Sequence, residues 1–293
     1  PSSLGRVSGW GWSFGYFGGM LTLGICLWIV IGSQAEGQPA TSFVPMTMLL
    51  TAVVFAVASV PTFVLLRERA GGKGNGKGND GAARNEGTGA LARLARTWRE
   101  SARFVDFRRL LVCGTFYQAG IAVVIALAAV YAEQVMGFRQ AQTMALVFLV
   151  NVASAAGAFL FGYAEDRIGH KRGLAWTLVG WIAMVAIVAA GESAAGFWLG
   201  ATIAGLCMGA SQSCGRAMVG AMAPEARRAE FYGLWTFAVR LAAIVGPVTY
   251  GLVTLATAGN HRVSIAITGL FFVAGLLVLS RIDVDRGVRA AAA

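Results

Sequence analysis

Eight long apolar runs constrain this chain more than any other feature. They cover residues 10–32, 44–66, 110–132, 143–164, 173–190, 196–215, 231–255 and 263–279. A helix needs about 18 or more apolar residues to cross a hydrocarbon core roughly 30 Å thick, so each run is long enough to span. None alternates with period two and each exceeds a barrel strand in length, which leaves α-helices as the spanning element. With 57% hydrophobic and 13% charged residues, an ordinary soluble domain is excluded. The expected fold is all-α and integral to a membrane.

A formal net charge of +10 would point to nucleic acid in a soluble chain, but here the basic residues sort by side. Arg6, the stretch 67–109, the loop 167–172, the segment 216–228 and the tail from Arg281 hold 21 of the 24 Lys and Arg. The other face carries only Arg139 and Arg262, while Arg240 lies within a span. The positive-inside rule therefore puts both termini in the cytoplasm of a multi-pass protein, expected in the cell (inner) membrane. Anionic lipid head groups are natural neighbours of this basic face, and no nucleic-acid partner is expected.

Enzyme chemistry finds no foothold at depth. Cys26, Cys113, Cys207 and Cys214 all sit in apolar runs without metal-ligand spacing and read as small packing residues. His170 and His261 fall in loops, and no carboxylate occupies the middle of a span. The expectation is no enzyme, no metal and no cofactor, and, for a carrier, either a proton-carrying carboxylate lying upstream of this chain or facilitated transport without one. The stretch 71–77 opens like a phosphate-cradling loop, but Gly78 stands where Ser or Thr would hold magnesium, so residues 71–89 read as a flexible linker. After it, Leu91, Leu94, Trp98, Ala102 and Val105 share one helical face, with Arg93, Arg96, Glu100 and Arg103 on another, which predicts an amphipathic helix on the membrane surface.

Residues 5–19 align with residues 229–243, pairing Gly9 with Gly233 and Tyr16 with Arg240, and each stretch opens a span followed by a second one. If the linker separates equivalent bundles, the second has six spans and the first only its last two. The expected organisation is then 1–66 as the last two spans of an N-terminal six-helix bundle, 67–109 as a linker, 110–280 as a C-terminal six-helix bundle and 281–293 as a tail. Four spans are expected upstream, so the chain reads as a fragment.

Between the fourth and fifth runs stands GYAEDRIGHKRG, residues 162–173. Gly162, Asp166, Arg167, Gly169, Lys171 and Arg172 resemble the cytoplasmic loop motif of the major facilitator superfamily. Gly162 allows close helix approach, Asp166 can cap a facing helix N-terminus near Ser8 to Trp10, and the cations suit head groups. Two further stretches, APEARRAEFYGLWTFAVRLAAIVGP and GRVSGWGWSFGYFGG, resemble the vacuolar amino-acid effluxer family within that superfamily. The resemblance implies a twelve-span carrier that exports amino acids by alternating access. In FYQAG, Gln118 and Ala119 stand where that family tends to have Asn-Asp.

Depth follows from a rise of about 1.5 Å per residue: Arg240 lies roughly 14 Å in, Gln118 and Asn151 roughly 12 Å and Tyr16 roughly 9 Å. These four are the candidate solute-binding residues. A charge at the bilayer centre costs at least about 2.5 kcal/mol and normally faces a wet interior, and a guanidinium fork fits a carboxylate, so an anionic or zwitterionic small solute is expected. Pairing of Arg240 with an upstream carboxylate is the structural alternative; Gln118 and Asn151 serve equally as interhelical hydrogen-bond glue. Gly162, Asp166, Arg167, Gly169, Lys171 and Arg216 form the candidate gate, with Gln212 one turn from Arg216. Gly15 and Gly19 form a candidate close-packing face, and Pro247 a bend point. The functional alternatives are a membrane scaffold or sensor, or a carrier of sugars or drug-like compounds.

Overall fold

The computed structural model describes residues 4–65, 96–191 and 193–292. The described residues of all eight runs are helical, and no strand occurs among the described residues. The helices are α1 (Leu4–Ala35), α2 (Ala40–Leu65), α3 (Val105–Gln134), α4 (Gln140–Ile168), α5 (His170–Ala190), α6 (Ala194–Met222), α7 (Arg228–Ala256), α8 (His261–Ser280) and the short α9 (Val284–Ala292). Several helices outrun their apolar runs because polar residues end them. Ser193 accepts from the Gly196 N–H at the start of α6, and Asn260 accepts from the Val263 N–H at the start of α8. Gly169, at φ +88°, breaks α4 from α5 in a region that side chains with a Cβ rarely enter. His170 and His261, expected in loops, are the first residues of α5 and α8.

The chain divides into two compact units, one of Pro1–Phe17 with Arg93–Ala293 and the other of Gly18–Ala92. In the larger unit, the strongest pairings join α4 to α6, α3 to α7 and α8, and α5 to α6 and α8. Between helices in lipid, packing replaces the hydrophobic effect as the main attraction, so small residues set how closely backbones meet. At the α4/α6 contact, a Cβ on Gly205 would sit 2.6 Å from the Ala153 Cβ and 2.7 Å from the Val150 carbonyl. Larger rings fill the remaining space: Trp181 of α5 stacks on Phe272 of α8 at 5.0 Å, and Phe107 of α3 meets Phe231 of α7 at 4.3 Å.

In the smaller unit, Cys26 of α1 lies 3.9 Å from the Thr47 carbonyl of α2, which carries Pro45 and Pro61 within it. Phe55 and Phe63 of α2 are exposed, as lipid-facing side chains would be. The stretch 71–89 and residues Leu91, Arg93 and Leu94 lie outside the described residues. The rest of the predicted amphipathic helix departs from its pattern. Residues 96–100 are helical, a tight turn follows at Ser101–Arg103, and Phe104 at ψ 69° breaks the path before α3. Ser101 and Phe104 are buried, while Ala102 and Val105 of the predicted apolar face are exposed. This segment is held by charge instead, with Glu100 bound to Arg96 at 2.8 Å and to Arg227 at 2.6 Å.

Candidate functional site

The gate motif builds a junction between α4 and the first turn of α1. A helix start leaves four backbone N–H groups without intrahelical partners and carries partial positive charge. Asp166 satisfies two of them, accepting from the Gly5 N–H at 3.0 Å and the Arg6 N–H at 3.3 Å, and also accepts from Arg6 Nε at 2.9 Å. The capped residues precede the expected Ser8 to Trp10 because α1 begins at Leu4. The approach requires glycines. A Cβ at Gly5 would lie 2.7 Å from the Asp166 carboxylate, and one at Gly162 would lie 3.0 Å from the Gly5 carbonyl and 3.2 Å from the Gly9 Cα. Thus Gly5 and Gly9 form the close-packing face. Gly15 and Gly19, expected in that role, have no neighbour within 4 Å among the described residues. Ser8 Oγ adds a bond to the Ser213 carbonyl of α6 at 3.1 Å.

The other gate candidates divide. Lys171 is not free for head groups: its Nζ donates to the carbonyls of Ser280 at 3.1 Å and Ile282 at 2.6 Å, satisfying the end of α8. Arg109 reinforces that end through the Arg281 carbonyl at 2.9 Å. Arg167 is exposed and has no partner among the described residues. Arg216 lies over the Tyr232 ring at 5.5 Å, and its carbonyl accepts from the Tyr232 hydroxyl. It is not paired with Gln212.

A cavity of about 420 Å³ opens within the larger unit. Its walls are mostly apolar, with Trp12 and Tyr16 of α1, Tyr131 of α3, Asn151 and Ser154 of α4, Gln212 of α6 and Tyr250 of α7 as polar or amphipathic members. Tyr16 and Asn151 therefore share one site. The Asn151 amide is partly engaged, donating to the Val147 carbonyl at 2.8 Å. Gln118 is buried behind the wall in a reciprocal amide pair with Gln212, at 2.9 and 3.2 Å. That geometry is interhelical glue, and it also orients the Gln212 amide at the cavity.

Arg240 does not join them. The buried stripe of α7 runs through Leu234, Ala238, Ala242, Gly246 and Tyr250. Two residues turn a helix by roughly 200°, so Arg240 points away from Ala238 and Ala242 alike. It is exposed, forms no ion pair among the described residues and is absent from the cavity wall. The proposed repeat pairs are likewise unequal in setting, because Gly9 is tightly packed and Gly233 has no neighbour within 4 Å.

Glu165 escaped the sequence reading. It is completely buried beside Asp166, with His170 Nδ1 at 2.5 Å from its Oε1. The five-residue spacing across Gly169 was the available signal, because a chain reversal there can bring the two ends together. Among the described residues, no group of three or more His, Cys, Asp or Glu is placed to hold a metal.

Comparison with known proteins follows the same lines. The family model described as "Vacuole effluxer Atg22 like" matches residues 3–292. The chain is 20% identical to the uncharacterized MFS-type transporter YxiO of Bacillus subtilis over 94% of its own length and 63% of that protein. It is 25% identical to autophagy-related protein 22-1 of Penicillium rubens over 98% of this chain and 50% of that one. The counterpart in Aspergillus niger is 22% identical, with 97% and 48% covered. The chain thus spans about half to two-thirds of the length of these relatives.

Proposed function

We propose that this chain, which belongs to the vacuole effluxer Atg22-like family, is part of a carrier that moves a small solute across a membrane by alternating access. The observation that carries this reading is the α1/α4 junction beside the cavity. A buried apolar seam would hold two helices permanently, whereas this junction rests on one carboxylate, a glycine contact and a few hydrogen bonds. Each of those bonds can be exchanged for water at modest cost, as a reversible gate requires. The cavity matches a small molecule in volume, and carriers built from helical bundles bind between helices at such places.

The finer reading is an amino acid or another carboxylate-bearing solute, moved outward from the cytoplasm. The apolar wall suits an aliphatic or aromatic side chain, while Tyr16, Asn151, Ser154 and Gln212 offer donors and acceptors for a zwitterion. Arg240, on the exposed face of α7 and outside this wall, is the cation that the carboxylate meets on its way to or from the cavity. The basic face, whose anionic partners are lipid head groups, is cytoplasmic in the cell membrane, with both termini of this chain on that side. We further propose that residues 1–66 complete an N-terminal bundle and residues 110–280 form the C-terminal one.

The test is solute flux into proteoliposomes containing the full-length protein, using amino acids, sugars and organic anions in turn. Saturable movement of an amino acid is the expected result. Saturable movement of sugars alone would replace the solute class, and no saturable movement of any of them would favour a scaffold or sensor.

A further inference from the structure

A second titratable arrangement lies one residue from the gate carboxylate. Glu165 is sealed from solvent in the last turns of α4, and its Oε2 has no hydrogen-bond donor among the described residues. Its Oε1 meets His170 Nδ1 at 2.5 Å. A carboxylate normally accepts several hydrogen bonds, so a buried one with an orphan oxygen is stable only if a proton offsets its charge.

Of the groups placed around Glu165, His170 is the one that can carry the compensating proton. From α1 comes the backbone of Gly5, where a Cβ would lie 3.2 Å from the carboxyl carbon. From α6 comes the buried thiol of Cys214, and from α5 comes Gly173. The nearby charges are engaged or turned outward: Asp166 and Arg6 hold each other, Lys171 is bound to the end of α8, and Arg167 and Arg172 are exposed. His170 also borders an open cavity shared with Arg109, Asp283, Asp285 and Arg286. A proton can therefore pass between the imidazole and water.

We propose that Glu165 and His170 form a proton-binding site whose occupancy keeps α1 docked on α4, a reading that deepens the carrier function and rests on it. With one exchangeable proton the pair is electrically neutral, whether the proton sits on the imidazole or on the carboxyl. When the proton leaves through His170 to water, the Nδ1–H remains to donate, but one net negative charge stays buried next to Asp166. Burying an uncompensated charge is far costlier than hydrating it. Water reaches Glu165 most easily where no side chain intervenes, which is at Gly5. Rising pH on the basic face therefore undocks the first turn of α1, and falling pH docks it. Exchange of one proton limits the change in the docked-to-undocked ratio to about tenfold per pH unit.

The experiment measures distances between spin labels on Val7→Cys of α1 and Arg172→Cys of α5, both exposed positions. It uses the full-length protein in lipid nanodiscs, with other accessible cysteines replaced, at several pH values from 6 to 9. The expected result is a shift toward the longer distance as pH rises, lost in Glu165→Gln, whose neutral amide keeps a hydrogen bond to His170. Asp166→Asn should lengthen the distance at every pH yet retain the pH response. A pH shift that persists in Glu165→Gln overturns the proton site. A wild-type distance that ignores pH but moves with Asp166→Asn or with added amino acid overturns the proton site and leaves the carrier standing. A distance that none of these moves overturns both.

Discussion

Replacing Asp166 by Asn isolates the charge in the α1 cap. The amide oxygen still accepts from the Gly5 N–H, but the second acceptor, which serves the Arg6 N–H and Nε, is lost together with the negative charge. A carboxylate at a helix N-terminus contributes about 0.3–1 kcal/mol when exposed and up to about 2 kcal/mol when partly buried. The Asp166 side chain is only 11% exposed, which favours the upper part of that range. The Arg6 side chain is 48% exposed, so its ion pair adds about 0–1 kcal/mol after solvent screening. A total of about 1–3 kcal/mol corresponds to a rise of about 5–160-fold in the undocked fraction. Ser213 is fully buried against α1, with its hydroxyl 3.5 Å from the Gly5 carbonyl. A cysteine placed there, with Cys214 changed to Ala, is shielded until α1 leaves. At fixed pH its maleimide labelling should accelerate about 5–160-fold in Asp166→Asn, and by no more than about fivefold in Arg6→Ala. Labelling that stays within about twofold of the parent would show that the cap does not hold the junction.

Four further outcomes follow from the same geometry. Gly9→Ala places a Cβ 2.5 Å from the Ala158 carbonyl and 3.0 Å from the Gly162 Cα; backbone cannot yield as a side chain does, so Ser213→Cys labelling should rise more than with Asp166→Asn. Lys171→Met keeps the aliphatic stem but frees the Ser280 and Ile282 carbonyls, which should weaken docking of residues 281–292 by about 1 kcal/mol and speed trypsin cleavage there. The guanidinium of Arg96, then that of Arg227, holds the Glu100 carboxyl below its usual range. A depressed value means the tie is intact above about pH 4.3 and is lost as pH falls through the lowered value, so amide exchange of residues 96–104 should rise only in acid, and Glu100→Gln should erase that step. Arg240→Gln should slow flux of a carboxylate-bearing solute, with Arg240→Lys in between, while flux of the corresponding amide stays unchanged; equal loss of acid and amide would point to a structural role.

The helices were legible because length and apolarity suffice to define a span, whereas their faces were not. Two glycine pairs with the same spacing, Gly5 with Gly9 and Gly15 with Gly19, occur on α1, and only the partner helix decides which is buried. Adjacent carboxylates pose the same problem. Residues one apart differ by about 100° on a helix, so Asp166 meets the start of α1 while Glu165 turns inward to His170, and the string EDR carries no mark of the difference. The depth of Arg240 followed from counting along the span. Its direction follows from the stripe through Leu234, Ala238 and Ala242, which places it on the opposite side. The capping role of Asp166 could be anticipated from its place in GYAEDRIGHKRG, where a carboxylate between two glycines near a helix end can face another helix start. Lys171 could not, because its acceptors lie more than 100 residues away in α8 and the turn after it.

The junction and the cavity are joined by two rigid elements. On α1, eleven residues separate Gly5 at the cap from Tyr16 on the cavity wall, about 16 Å along a continuous helix. On α6, Ser213 bonds to α1 while the adjacent Gln212 faces the cavity and holds Gln118. A helix without a break between its ends cannot release Gly5 and Arg6 from Asp166 while leaving Trp12 and Tyr16 where they were. Gly9 meets backbone atoms of Ala158 and Gly162, so sliding along that contact is resisted and separation of the first turn is the easier motion. Undocking at the basic face must then reposition two aromatic rings of the cavity wall, whose centroids lie 5.9 Å apart. The coupling needs no chain of intermediaries, only a helix stiff enough to carry a displacement from its capped end to its aromatic segment.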